Sequence, residues 1–382
     1  MRTVFGLVAN AGYVLAVQIL ALVTLDPADY GAFSLQYLVF ALGSSLSLSL
    51  ISEAWLRHDT QSGVRSPWRD YGNATLFLAL SLGGLTVIVS ALVPALSDVA
   101  VIGALAVAAS VYRVSVRYYA VRCKAPVLVS DLSGLVVTVA VWVWFAVLGD
   151  WSLLGMSTAW ALGAVASALT SRLPPLPSVS LLRSWFSDKR THIRPLLRDS
   201  VLMDAGAIGT PYLLAPLLGV AQFGTYRAVS NVAAPVRLVL TPLRPKIAML
   251  AQEPQTLKRH ALVVAAAVLL ALCAYGALVV ISVAQLDLGT LNELGNFALP
   301  TAIFVAANFL GTFHYIVARA GLNGTGLLLG RLVQTVFAIA GPLIGFAVGG
   351  LGGAIWGYAL VTVVSAVTWA VLVSRPRWRS TH

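Results

Sequence analysis

Eight charged residues stand inside runs otherwise apolar enough to cross a membrane: Arg113, Arg117, Arg227, Arg237 and Arg331, with Glu53, Asp131 and Asp204. An arginine fork grips phosphate oxygens bidentately and stays charged when desolvated. The arginines are therefore candidate substrate-binding residues and the carboxylates candidate coupling or ion-pair residues. A charge at mid-bilayer costs from about 3 to above 10 kcal/mol, so depth decides which of them needs a partner or a cavity. The stretch FGTYRAVSNVAAPVRLVLTPLRPK, Phe223 to Lys246, poses the question most sharply. Arg227 lies about one turn from the outer end, within snorkelling reach of the interface. Arg244 and Lys246 fall at the inner end as anchors. Arg237 is roughly 20 Å down the helix at 1.5 Å per residue, and faces either a cavity or a structural ion-pair partner. Asp204, at a similar depth on the preceding helix, is that candidate partner; it holds Arg237 in place or takes up a proton.

The other five charges fall in two groups. Arg113 and Arg117 are one turn apart on a shared helix face. Arg331, Glu53 and Asp131 sit near helix ends, and helix-end snorkelling is a competing reading for Arg117, Glu53 and Arg331. Taken together, Arg237, Arg113, Arg117 and Arg331 outnumber Glu53, Asp131 and Asp204. The expected result is an inward-opening cationic vestibule, with Asn231, Asn308, Tyr315 and Gln334 as hydrogen-bonding candidates for sugars.

The elements that must position these residues follow from composition. Of 382 residues, 59% are hydrophobic and 10% charged, against roughly 25% charged in soluble domains. Spans of about twenty apolar residues fall near 3–24, 32–55, 73–95, 99–120, 126–148, 152–171, 200–219, 224–248, 261–284, 294–317, 327–348 and 352–373. The expected fold is an all-α integral membrane protein of about twelve transmembrane helices. Lys and Arg are confined to alternate loops, so by the positive-inside rule both termini face the cytoplasm. That bias accounts for the net charge of +11 without a nucleic-acid partner. The polar stretch 172–199 divides a half at 1–171 from a half at 200–374, with a basic cytoplasmic tail at 375–382. Leu181, Leu182, Trp185 and Phe186 within the linker have helical spacing beside basic residues. They fit either a helix on the inner membrane surface or a solvated connector.

Cys123 and Cys273 give no disulfide framework or metal pattern. There is no GxxxxGK[ST] loop, no HExxH and no nucleophile constellation, so no cofactor and no enzyme activity are expected. His314 reads as packing. Pro211, Pro216, Pro235, Pro242, Pro300 and Pro342 interrupt predicted helices. Gly341, Gly345 and Gly349 offer close helix contact.

The two halves carry a local repeat. NAGYVLAVQILALVTLDPADYGAFSL from Asn10 and DAGAIGTPYLLAPLLGVAQFGTYRA from Asp204 each start near an Ala-Gly pair. Each reaches an aromatic-Gly-x-aromatic turn, Tyr30-Gly31-Ala32-Phe33 and Phe223-Gly224-Thr225-Tyr226. Six helices per half predict a parallel repeat with a substrate path between the halves. With LDPADYGAFSLQYLV and LLGVAQFGTYRAVSNVAAPVRLVLTPLRP, the chain resembles the multidrug/oligosaccharidyl-lipid/polysaccharide exporter superfamily, and within it the polysaccharide biosynthesis flippases. That resemblance implies a bacterial plasma-membrane flippase moving a polyprenyl-(pyro)phosphate-linked oligosaccharide outward by alternating access. The implied partners are that substrate, membrane lipids and, as further candidates, the polysaccharide polymerase and export machinery. Twelve helices, where lipid II flippases of the superfamily typically have fourteen, make the peptidoglycan precursor a weaker candidate cargo. The rival readings are an ion-coupled antiporter of small cationic drugs or metabolites and, behind it, a membrane polysaccharide-assembly enzyme or scaffold.

Overall fold

The computed structural model describes the chain except for Met1 and residues 63–65, 124, 126, 237–239, 241–242, 244–246, 248–256 and 375–382. Arg237, Pro242, Arg244, Lys246 and the basic tail therefore lie outside the described residues. The helices are α1 Arg2–Thr24, α2 Pro27–Ser47, α3 Glu53–Ser62, α4 Trp68–Leu92, α5 Ala100–Arg122, α6 Leu128–Val147 and α7 Leu153–Ser171. After them come α8 Val179–Asp204, α9 Thr210–Leu218, α10 Val220–Val232, α11 Leu257–Val283, α12 Ala298–Gly321 and α13 Gly324–Ser374.

Nine helical stretches among the described residues are long and apolar enough to cross a membrane. The last, Thr325–Ser374, is 50 residues long and breaks at Gly349 and Gly350, where Gly350 takes a φ of 56°. It therefore supplies two spans, where the sequence places the turn 349–351. Helix α1 adds another, and α10 covers the first part of the eighth span, whose remainder falls largely outside the described residues. The protein is an all-α, multi-pass membrane bundle on the twelve-helix plan.

Two helix starts differ from their sequence-based boundaries. Residues 25–31 read as a loop, yet α2 begins at Pro27. The Asp26 carboxylate accepts the Asp29 N–H at 2.8 Å, and proline is pre-set for the first helical position. Likewise α10 begins at Val220, directly after Gly219 turns the chain at a φ of 73°. The prolines act unevenly. Pro211 follows a π-helical turn at Ala205–Gly209, where its ring and missing N–H would disrupt the bond to the carbonyl four residues back. Pro342 instead sits inside a continuous helix.

Contacts divide the chain into two compact units: Met1–Ala21 with Ala32–Asp204, and Leu22–Gly31 with Ala205–His382. In the first, the rings of Phe33, Tyr37, Phe40 and Trp160 pack at centroid separations of 5.2–6.1 Å. A second cluster joins Trp55, Tyr71, Tyr119 and Ile51 to Trp185, Ile193 and Leu196 of α8. The linker is thus helical from Val179, and its tryptophan docks on protein. Trp185 is 2% exposed, and its indole N–H donates to the Leu50 carbonyl at 3.1 Å. Leu182 packs on the same cluster, while Phe186 stays exposed.

In the second unit, the two aromatic-Gly-x-aromatic turns of the sequence repeat meet. A Cβ on Gly31 would collide with the Val220 carbonyl, and one on Gly224 with the Pro27 carbonyl. Each glycine thus admits the backbone four residues before the other. Thr290 ties the segment further, its N–H and its hydroxyl both donating to the Leu25 carbonyl at 3.0 Å. The halves of α13 touch in the same manner. Gly345 faces Gly353 and Gly341 faces Gly357 with no room for a Cβ, whereas Gly349 lies in open space.

Candidate functional site

Helix α5 carries Arg113 and Arg117 on one face, and α6 brings Asp131 to them in its first turn, where the helix dipole favours a carboxylate. Arg113 Nη1 donates to Asp131 Oδ1 at 3.2 Å, and Arg117 Nε donates to Asp131 Oδ2 at 2.9 Å and Oδ1 at 3.1 Å. Arg113 Nη1 also donates to Asn10 Oδ1 of α1 at 3.1 Å, and its guanidinium carbon lies 4.3 Å from the Tyr13 ring centroid. The side chains of Arg113 and Asp131 are 1% and 0% exposed, that of Arg117 17%. Buried charges survive in such surroundings only when paired and hydrogen-bonded. The triad carries one net positive charge, and Arg113 Nε is buried without a hydrogen-bond partner.

The sequence places these three residues at one level but does not join them. The pairing depends on which faces of α5 and α6 meet. The acid at the start of α6 and the two arginines one turn apart were the available signal. Asn10 and Tyr13 were missed as partners; both belong to the Asn10–Tyr13 stretch that opens the repeat.

The second unit treats its arginines differently. Arg331 Nη2 donates to the Tyr315 hydroxyl at 2.6 Å, and Nη1 donates to Gln334 Oε1 at 3.2 Å. Its guanidinium carbon is 4.8 Å from the Tyr315 centroid. Trp369 braces the group: its indole N–H donates to Gln334 Oε1 at 3.4 Å, and its ring lies 5.2 Å from that of Tyr315. Among the described residues, no carboxylate lies within ion-pair distance of Arg331. Tyr315 and Gln334, singled out as sugar contacts, hold the arginine.

Arg227 sits two turns into α10, half-buried beside Tyr212 and Tyr226. Its Nε is enclosed without a hydrogen-bond partner, so that atom is not in solvent. Asn231 donates to the Tyr30 hydroxyl, and Asn308 Oδ1 is buried without a partner. Glu53 starts α3 directly after a π-helical turn at Leu48–Ser52, half-buried near Tyr118. Asp204 is buried at the last position of α8. Arg113, Arg117, Asp131, Glu53 and Asp204 thus belong to the first unit and Arg227 and Arg331 to the second. Among the described residues, no group of three or more His, Cys, Asp or Glu is placed to hold a metal.

No protein-family model matches this sequence, and no curated protein matches it. Solved structures do. The lipid II flippase MurJ in an inward closed conformation superposes with a TM-score of 0.64 at 9% identity, over 98% of this chain and 87% of that one. An outward-facing multidrug resistance MATE transporter of the MOP superfamily gives 0.53 at 14% identity, over 97% and 93%. A MOP-superfamily transporter from Pyrococcus furiosus, reported to have a binding pocket of reversed polarity, gives 0.52 at 14%, over 97% and 93%. At these identities the likeness is one of architecture: the chain shares the helical fold of these membrane transporters.

Proposed function

We propose that this protein is a secondary transporter that moves a polyprenyl-(pyro)phosphate-linked oligosaccharide from the inner to the outer leaflet of a bacterial plasma membrane by alternating access. The observation that carries the reading is Arg331, a cation in a membrane span held by a hydroxyl, an amide and aromatic rings. Among the described residues such a group is oriented but not neutralised, and a phosphate completes it. The fold is compatible with this cargo, since it is shared with a flippase named for a lipid-linked substrate. It is equally compatible with a drug transporter. The reported pocket reversal in the Pyrococcus protein supports using charge rather than fold to choose between cargoes. A small-cation antiporter needs a carboxylate-dominated cavity. Here Asp131 is already engaged by two arginines.

The sequence has no nucleotide-binding loop, so an ion gradient, the membrane potential, the substrate gradient or another subunit supplies the drive. Arg237 joins Arg331 in binding phosphate in this scheme, and Asp204 orients Arg237 or carries a proton. The test is reconstitution in proteoliposomes with two probes, a labelled polyprenyl-diphosphate oligosaccharide and a small cationic dye. Translocation of the first and not the second is expected. Movement of the dye alone replaces this reading with the antiporter.

A further inference from the structure

Helix α8 uses one face to dock. Trp185, Lys189, Ile193 and Leu196 are buried, with the Lys189 ammonium 4.2 Å from the Trp185 ring centroid. At 3.6 residues per turn these four positions fall within an arc of roughly 80°. Arg183, Arg190, Arg194 and Arg198 are all exposed. Their spacing of seven, four and four places them in a second arc of roughly 80°, centred about 140° from the first. The stripe is about 22 Å long. Along one edge lie Val179 and Phe186, two exposed apolar side chains. Asp188, an exposed acid of this segment, falls between the arcs and outside the stripe.

The position of this stripe along the chain identifies what it meets. The continuous helical stretch Val179–Leu218 has 40 residues, about 60 Å if straight and twice the hydrocarbon thickness. Four arginines within the sixteen residues Arg183–Arg198 keep this part of the stretch out of the hydrocarbon, and the positive-inside reading of the loops assigns it to the cytoplasmic side. A docked helix with arginines on its free face and apolar residues at the edge has the composition of a lipid-interface helix. Cytoplasmic leaflets present anionic headgroups at that level.

We infer that the Arg183–Arg190–Arg194–Arg198 face of α8 is a binding surface for anionic phospholipid headgroups of the cytoplasmic leaflet. Docking through Trp185 fixes the orientation of the stripe, and the headgroups neutralise it. This surface is separate from the Arg331 group and does not depend on what the protein transports.

The test uses the full-length protein purified in mixed micelles of equal phosphatidylglycerol and phosphatidylcholine, with bound lipids counted by native mass spectrometry. The native protein is expected to retain phosphatidylglycerol in severalfold excess, and the excess is expected to shrink as salt screens the stripe. The combined variant R183Q/R190Q/R194Q/R198Q should fall to parity with an unchanged melting temperature. The matching fourfold lysine variant should keep most of the preference. Parity in the native protein, an undiminished excess in the glutamine variant, or equal losses in the glutamine and lysine variants each overturns the assignment.

Discussion

The arginines of the first unit and that of the second are the same residue type in two chemical settings. Arg113 and Arg117 share a buried carboxylate and reach into α1 through Asn10 and Tyr13. Arg331 is braced by Tyr315, Gln334 and, through Gln334, Trp369. The first arrangement ties three helices together by charge. The second positions a charge with no counter-charge among the described residues. The difference teaches that intramembrane arginines of one sequence can be held by unlike partners, a carboxylate in one case and neutral groups in the other. What distinguishes a structural arginine from a ligand-facing one is the charge of the groups that orient it.

Four substitutions press on that contrast. The largest effect is expected from Asp131→Ala, which strands two cations and should destabilise the fold by about 3–5 kcal/mol. A marked drop in melting temperature or folded yield in detergent would show it, and an unchanged melt would break the structural reading of the triad. Arg331→Gln comes next. Transport should fall by about tenfold or more, a transition-state or binding loss of about 1.4 kcal/mol, while the melting temperature stays near that of the native protein. Asn10→Ala removes a neutral acceptor from Arg113 and should cost about 1–3 kcal/mol of stability, measured by the same melt. The smallest effect belongs to Tyr315→Phe. It keeps the ring under the guanidinium and deletes one hydrogen bond, about 1 kcal/mol, so flipping slows by roughly fivefold with little change in stability.

Much of the architecture is legible in the sequence because lipid demands long apolar runs. The spans and the turn at 349–351 follow from that demand and from glycine. The shared Tyr30-Gly31 and Phe223-Gly224 turns also signalled a special relationship, and the structure brings those glycines together. The contact itself was not legible. Nothing in a hydrophobic run states that Leu22–Gly31 packs with the second unit, or that Gly31 must admit the Val220 carbonyl. Helical periodicity showed that Leu182 and Trp185 share a side with basic neighbours. It could not say whether that side faces lipid or protein, and the structure turns it onto the Trp55–Tyr71 cluster. The site suffers from the same gap. Depth along each helix placed Arg113, Arg117 and Asp131 at one level, but rotation about each axis, set by packing, decides who pairs with whom. Arg237 lies outside the described residues, so its expected pairing with Asp204 remains a proposal alongside its phosphate-binding role.

The central claim is that Arg331 is held ready for a phosphate while the Arg113–Asp131–Arg117 group is structural. The most direct measurement is flipping of a labelled polyprenyl-diphosphate oligosaccharide in proteoliposomes by native protein and by Arg331→Gln, each checked for insertion and melting temperature. The account predicts transport by the native protein and its loss in a variant that inserts and melts normally. Native-like flipping by Arg331→Gln, or loss of transport accompanied by loss of the fold, would contradict it.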